Sequence, residues 1–346
     1  MYETDRLEVW NLTPGVTARV GAQAVFNVLG RVKAPGRTEH LWYRLNESPE
    51  RKVFFNRGPR NAGRLERPGD FNIDTIDPGE LKPWNWLRLG ILDEAAREEQ
   101  EYEIGFPCSR LEDGAPRLRL DLEGIAHPQE VGQVVDGKWR VSRDERGRRC
   151  LEIRREDAGL DRIIVFGRED WTSSYEVTAR LRVTAWTGVL HNVGLLFKWN
   201  AHLPGDGTWL PTQWSTGLAY YYSDCPGLRV RFGVDVHEDA RGRKVGDYIL
   251  KEAPLSSWRR WLATGARRVA PSSPWFPQVV AGRDYWFNAR IRPDEYTLTV
   301  WKDGGRRPSP QVVVEAPTDR LPRGAVGLIA HRCGVRMYEF EVSGVA

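Results

Sequence analysis

Short stretches in which apolar and polar residues alternate recur along almost the whole chain, each cut off by glycine, proline or a small polar cluster. A side chain on a strand points to the opposite face from its neighbour, so this pattern specifies half-buried β-strands and is incompatible with long amphipathic helices. The first third supplies VTARV, AVFNVLGRV, HLWYRLN, KVFFN, FNIDTI, NWLRLGIL and EYEIGF, separated by turns such as APGR and RPGD. Strands at this spacing predict an antiparallel sandwich. The one helical candidate there, DEAAREEQ from Asp93 to Gln100, is short and highly charged, and a loop between two strands explains it equally well. The polar, turn-prone run from Cys108 marks a boundary, giving a first domain over residues 1–107, a linker over 108–117 and a second domain over 118–346. The second domain continues through DRIIVFG, SYEVTARLRVTAW, NVGLLFKW, GLAYYYSD, LRVRFGVDV, DYWFNARIR, EYTLTVWKDG and AVGLIAHR. That many strands without a convincing helix suits a large two-sheet jelly roll with one concave face. Residues 256–277 interrupt the pattern as an insertion, with room for a short helix from Ser257 to Ala263.

The 15 tryptophans are more than cores alone require and leave several for surfaces. With 51 basic against 47 acidic residues the net charge is only +4, so a general nucleic-acid binder is not implied. No run approaches the length of a membrane span, and MYETDRLEVW lacks the apolar core of a secretory signal. The chain therefore reads as cytoplasmic, with export by another route left open. Cys108, Cys150, Cys225 and Cys333 are scattered without a CxxC pair, which argues against a zinc site or a dense disulfide framework; free thiols are expected, with one or two bridges left open for an exported chain.

The segment HNVGLLFKWNAHLPGDGTWLPTQW, His191 to Trp214, carries the clearest chemical signal. Strand alternation sends Val193, Leu195, Phe197 and Trp199 toward a core and Lys198, Asn200 and His202 the other way. Trp209 and Trp214 follow. Hydrogen-bonding groups beside flat indoles suit a sugar ring, which has an apolar face and a hydroxylated edge. An ordinary solvated sheet face accounts for the same residues. Tyr222 adds a stacking surface, and Arg229, Arg231 and Arg290, alternating on their own strands, favour an acidic sugar. Arg180 and Arg182 alternate likewise, either on a basic cleft or facing water beside acids such as Glu176.

Two resemblances accompany this pattern. QVVDGKW (Gln133 to Trp139), DRIIVFGREDWTSSYEV (Asp161 to Val177), GLLFKWNAH (Gly194 to His202), GAVGLIAHR and YEFEV are similar to concanavalin A-like lectin/glucanase modules, especially laminin-G-like ones of bacterial proteins. FNVLGRV, LWYRLN and PGDFNIDT resemble a bacterial immunoglobulin-like domain. The expected fold is all-β, an immunoglobulin-like sandwich followed by a concanavalin A-like jelly roll. That superfamily holds lectins, hydrolases, lyases and pure interaction modules, so the resemblance implies no single activity. Its glucanases use an E-x-D-x-x-E strand and its alginate lyases Q-I-H and Y-x-K-x-G-x-Y motifs; neither occurs here. Chemistry on 3-keto-glycosides would draw on His191, His202, His237 and His331, none of which sits in a metal-ligand spacing. Asp206, in a PGDG turn, is a candidate for a structural calcium, and no other cofactor is expected. Serine-nucleophile elbows and phosphate-binding glycine loops are absent. The leading expectation is recognition of a carbohydrate or glycoconjugate by the concave face of the jelly roll. The alternatives are a glycoside hydrolase or polysaccharide lyase on that face, or a non-catalytic module for a protein partner, since Tyr, Trp and Arg also anchor protein interfaces.

Overall fold

The computed structural model describes residues 1–58, 64–93, 99–111, 114–171, 174–189, 191–202, 214–222, 227–234, 237–238, 244–245, 251–253, 278–315 and 323–345. Within these, 200–202, 214–220, 222, 227–234, 237–238, 244–245, 251–253 and 314–315 are described by backbone alone.

Strands dominate, as the alternation requires. The N-terminal part pairs two sheets. The four-stranded one runs β1 (Tyr2–Glu3), β2 (Leu7–Val9), β4 (Phe26–Val32), β7 (Asp70–Ile76). The five-stranded one runs β3 (Ala18–Val20), β9 (Glu99–Arg110), β8 (Trp84–Asp93), β5 (Thr38–Leu45), β6 (Arg51–Val53). All pairings here are antiparallel except β3 with β9, which run parallel. Val28, Phe71, Tyr43, Leu87, Leu89, Ile104 and Phe106 fill the space between the sheets. β9 continues to Arg110, so Cys108 to Arg110 are strand residues of the five-stranded sheet. The pairing of Ala18 with Cys108 and Val20 with Arg110 holds those residues in the sheet. Of DEAAREEQ, Asp93 closes β8 and Glu99 opens β9, while 94–98 lie outside the described residues.

The C-terminal part is a two-sheet jelly roll. Its eight-stranded sheet has the order β12 (Arg140–Arg143), β13 (Arg149–Ile153), β26 (Cys333–Gly344), β15 (Tyr175–Trp186), β22 (Asp284–Ile291), β23 (Glu295–Lys302), β24 (Val312–Glu315). β10 (Leu118–Arg119) pairs with β26 beside it. The seven-stranded sheet is β11 (Gln133–Val134), β14 (Arg162–Phe166), β25 (Ala325–His331), β16 (Asn192–His202), β17 (Trp214–Tyr222), β18 (Gly227–Val234), β21 (Lys251–Ala253). A small ribbon, β19 (His237–Glu238) with β20 (Lys244–Val245), completes the strands. Val177, Ala179, Leu181, Phe287, Leu298 and Phe340 of one sheet meet Phe166, Val193, Leu195, Phe197 and Leu328 of the other in a dry core. Residues 256–277, with the expected short helix, lie outside the described residues.

The two sandwiches are joined by buried polar contacts. Arg64 Nε donates to Asp136 Oδ1 at 2.8 Å, with both side chains 2% exposed. Asn72 Nδ2 donates to the Val135 carbonyl at 2.8 Å, and the Ala22 amide to Gln133 Oε1 at 2.6 Å. His127 Nε2 donates to the Trp10 carbonyl at 3.2 Å, and burial pushes this imidazole down to about 4, so it is neutral at pH 7. Trp10 and Leu29 of the first sandwich join the core cluster of the second.

Candidate functional site

The sheet built around β16 holds most of the residues singled out by the sequence. β16 pairs with β25 on one side and β17 on the other, and β18 follows β17. Val193, Leu195 and Phe197 point into the core between the sheets as expected. The alternation then breaks. Register shifts lie between Phe197 and Ala201 on the β17 side and between Leu196 and Trp199 on the β25 side, and Lys198 has φ 52°. A bulge of this kind places consecutive side chains out of phase. Two expectations are corrected by it. Lys198 turns inward, only 4% exposed, with Nζ donating to the Tyr296 hydroxyl at 3.3 Å, and is not a ligand-binding group on the outer face. Burial pushes its ammonium down to about 8. Trp199 leaves the inter-sheet core for the opposite face, where it packs with Leu196, Val165, Ala325 and Ile329 and donates from Nε1 to Gln23 Oε1 at 2.8 Å.

Leu196, Ile329, Val165 and Trp199 thereby define the outer face of the seven-stranded sheet, and Ala22 of the first sandwich covers it at the Trp199 end. Directly paired antiparallel residues share a face. Register therefore puts Leu218 and Arg231 in line with Leu196, and Tyr220 and Arg229 in line with Gly194. Tyr222 and His331 pair with Asn192 from opposite sides. His202 pairs with Trp214 at the far end of the same strands. Trp214 and Tyr222 are separated by about 27 Å of strand at about 3.4 Å per residue. Asn200 belongs to β16 but has no register partner of its own. Trp209 and Asp206 lie outside the described residues.

Arg290 sits elsewhere. It belongs to β22 of the eight-stranded sheet, where its guanidinium pairs with Glu176 at 3.1 Å. The structure does not bring it together with Arg229 and Arg231. Arg180 and Arg182 are on that sheet too, and both are neutralised: Arg180 by Glu339 at 2.6 Å and Asp303 at 3.4 Å, Arg182 by Asp284 at 2.5 Å and by Glu145. Arg148 completes the cluster, bridging Asp144 and Asp284 at 2.9 and 2.8 Å. Burial alone would raise the Asp284 carboxyl, but hydrogen bonds from Arg182 and Arg148 outweigh it and hold it below the usual range. Arginines so paired form a lattice over the sheet rather than an open basic cleft.

One arrangement escaped sequence reasoning as a unit. Asp161 Oδ1 accepts from His331 Nδ1 at 2.7 Å, with side-chain exposures of 18% and 14%. The Asp161 amide lies 3.4 Å from the same Nδ1, so both contacts of this residue orient the ring through that nitrogen. The partners are 170 residues apart, so no local motif announces them. In the sequence His331 is one of several scattered imidazoles. Its neighbours in register, Asn192 and Tyr222, put it at the end of the outer face away from Trp199.

Among the described residues the thiols are buried or half-buried and unactivated. Cys108, Cys150 and Cys333 are unbridged, and burial pushes Cys108 up to about 12 and raises the other two as well. Among the described residues no cluster of His, Cys, Asp and Glu has the geometry to hold a metal ion. Among them, too, no helix is long and apolar enough to cross a membrane.

No family model matches the chain, and no curated protein matches it. Among solved structures it is similar to a legume lectin-like domain from Entamoeba histolytica, at 10% identity and a TM-score of 0.37, over 66% of this chain and 99% of that one. The VIP36 exoplasmic/lumenal domain in a Ca2+/Man2-bound form gives 9% identity and a TM-score of 0.39, over 66% and 87%. An alginate lyase from Klebsiella pneumoniae gives 12% and 0.34, over 60% and 84%. Similarities this slight leave fold and chemistry to be argued from the chain itself.

Proposed function

We propose that the C-terminal jelly roll is concanavalin A-like and binds carbohydrate along the outer face of its seven-stranded sheet. The observation that carries this reading is the register, which aligns Tyr220 and Tyr222 with Arg229, Asn192 and His331 on neighbouring strands of one face. Aromatic positions interleaved with hydrogen-bonding and cationic ones match the apolar faces and hydroxylated edges of sugars, and the arginines favour an acidic one. His202 and Trp214 lie about 27 Å along the strands from Tyr222, farther than one ring reaches. The first sandwich covers the face at Trp199, between these two ends, so the bound sugar lies at the Tyr222–His331 end. The N-terminal sandwich is immunoglobulin-like in this reading, supported by its four-against-five strand order and by a parallel β3–β9 pairing at the sheet edge. The division between the two domains then falls just after Arg110.

A second reading has a specific observation in its favour. The Asp161–His331 pair is the arrangement in which a carboxylate orients an imidazole for proton abstraction, as a lyase or hydrolase of the bound glycan requires.

The deciding experiment is a glycan array on the whole chain that includes uronic-acid polymers, with product analysis of every hit. Tyr222→Ala and Arg231→Gln should each weaken a hit by about tenfold, roughly one lost stacking or charge-assisted contact, with little change in melting temperature. The Asn200→Ala/His202→Ala pair, at the far end of the same face, should leave the hit unchanged. Unaltered binding in both Tyr222→Ala and Arg231→Gln would refute the site. A shortened or unsaturated product that disappears in His331→Gln, with binding retained, would make the protein an enzyme.

A further inference from the structure

The N-terminal sandwich has a cleft of its own, on the outer face of the five-stranded sheet. β8 presents Trp84, Trp86 and Arg88 on that face and buries Asn85, Leu87 and Leu89 on the other. Trp84 and Trp86 are 46% and 47% exposed, the tryptophans that open furthest to solvent among those whose side chains are described. Their rings meet nearly edge to face, 6.0 Å apart and inclined at 68°. Trp86 forms one wall of a cleft of about 500 Å³, which Arg44, Asn46, Ser48 and Arg88 also line. That volume lies in the range of small-ligand sites.

The cleft is held in shape from beneath. Asn46, at φ 52°, donates its amide to the Trp86 carbonyl at 2.7 Å, and its Oδ1 accepts from the Trp86 amide at 2.9 Å. Trp86 lies over Gly105, where a Cβ would come within 2.7 Å of the indole. That packing accounts for the position of Trp86. It does not account for Trp84, nor for leaving half of each indole in water.

Charge points to what the cleft takes. Arg44 and Arg88 are directly opposite each other on β5 and β8, a like-charge pair that destabilises a sheet unless an anion offsets it. Arg88 has Glu103 at 2.7 Å, and the cleft's own Glu47 is held by Lys82 at 2.6 Å. Arg44 stacks on Trp42 at 5.5 Å, and among the described residues no carboxylate lies within ion-pair distance of it. One cation is thus left over beside two exposed indoles and an amide.

We infer that this cleft, extended by the adjoining Trp84, is a second glycan-binding site, specific for a uronic-acid residue whose ring packs on Trp86, whose next sugar reaches Trp84, and whose carboxylate pairs with Arg44. Arg44 makes the charge-assisted contact that a neutral sugar cannot offer. The site is independent of the jelly-roll face and shares no residue with it.

The test is calorimetric titration of the whole chain with a tetramer of galacturonic acid and, in parallel, with a neutral tetramer of glucose. The tetragalacturonate is expected to bind, and Trp84→Ala to weaken that binding about tenfold with an unchanged melting temperature. Arg44→Gln should abolish the preference for the acidic tetramer over the neutral one. Trp86→Ala is less informative, because it also uncovers Gly105. No heat of binding up to millimolar tetragalacturonate overturns the inference, as does binding that Trp84→Ala and Arg44→Gln leave intact. In the latter case, loss of binding in Tyr222→Ala would assign the glycan to the jelly roll alone. A cleft that instead captured an acidic peptide and ignored the sugar would equally refute a glycan site.

Discussion

At Lys198 one positive φ redirects a charge. Simple alternation sends this side chain outward with Asn200 and His202, and the bulge sends it inward against Tyr296 instead. Nothing in GLLFKWNAH signals the change, because its cause lies across the sheet. Gly324 comes so close that a Cβ there would stand 2.2 Å from the Lys198 carbonyl carbon. The residue-level consequence is measurable. With its ammonium pushed down to about 8 by burial, against about 10.4 in an unfolded chain, Lys198 binds fewer protons folded than unfolded between those values. Stability therefore rises as pH increases through that window, and the penalty is fully present below pH 8. Lys198→Met should raise the free energy of unfolding at pH 7 by up to roughly 3 kcal/mol, the cost of that shift. Its advantage should shrink toward pH 10.5, as read by urea denaturation at several pH values. A variant no more stable than the parent at pH 7 would mean that the Tyr296 bond offsets the burial.

Individual strands were far more legible than what they touch. In β15 the alternation of Val177, Ala179 and Leu181 with Glu176, Arg180 and Arg182 appears in the sequence and holds in the structure, apolar side in and charged side out. The same regularity in β8 put Trp84, Trp86 and Arg88 on one face within reach of a reader, since period-two tryptophans on a strand with buried leucines between them must share the exposed side. The partners were not legible, because β15 pairs with β22 and β26, which lie more than a hundred residues away. Thus the sequence leaves Arg180 and Arg182 either on a basic cleft or beside acids such as Glu176, and only the register supplies Glu339, Asp303 and Asp284. These pairs are unequal. Asp284 and Arg182 have side chains only 7% and 8% exposed, so Asp284→Ala would leave Arg182 with Glu145 alone and Arg148 with Asp144 alone, and should cost about 3 kcal/mol. Asp303 is 36% exposed and 3.4 Å from Arg180, so Asp303→Ala should cost less than about 1 kcal/mol. Equal losses in guanidinium denaturation would show that the lattice acts as one network rather than as separate pairs.

The whole molecule departs most from the sequence where its halves meet. Turn spacing and composition divide the chain into two sandwiches but say nothing of the burial of Arg64, Asn72, Gln133 and Asp136, polar residues that are all interior. Only the docking of one sandwich on the other makes them interior, and no local pattern encodes docking. The same contact explains why Trp199 is not a core residue of the jelly roll, since Gln23 and Ala22 of the first sandwich receive it. It also closes one end of the candidate glycan face and leaves the His331 end beyond it. An interface of buried hydrogen bonds couples the halves only while each group keeps its partner, because an unpaired buried charge costs more than the pair contributes. The intact chain should therefore unfold in a single calorimetric transition. Asp136→Ala leaves the Arg64 guanidinium, 2% exposed, without its main carboxylate and should cost about 3–5 kcal/mol. If the interface is what joins the two halves, this variant separates the endotherm into two, the first sandwich and the jelly roll melting independently. The double change Arg64→Met/Asp136→Leu removes both charges together and should recover most of the stability and the single transition. Two transitions in the parent chain would mean instead that each sandwich is stable alone and that these buried contacts orient the pair without coupling it.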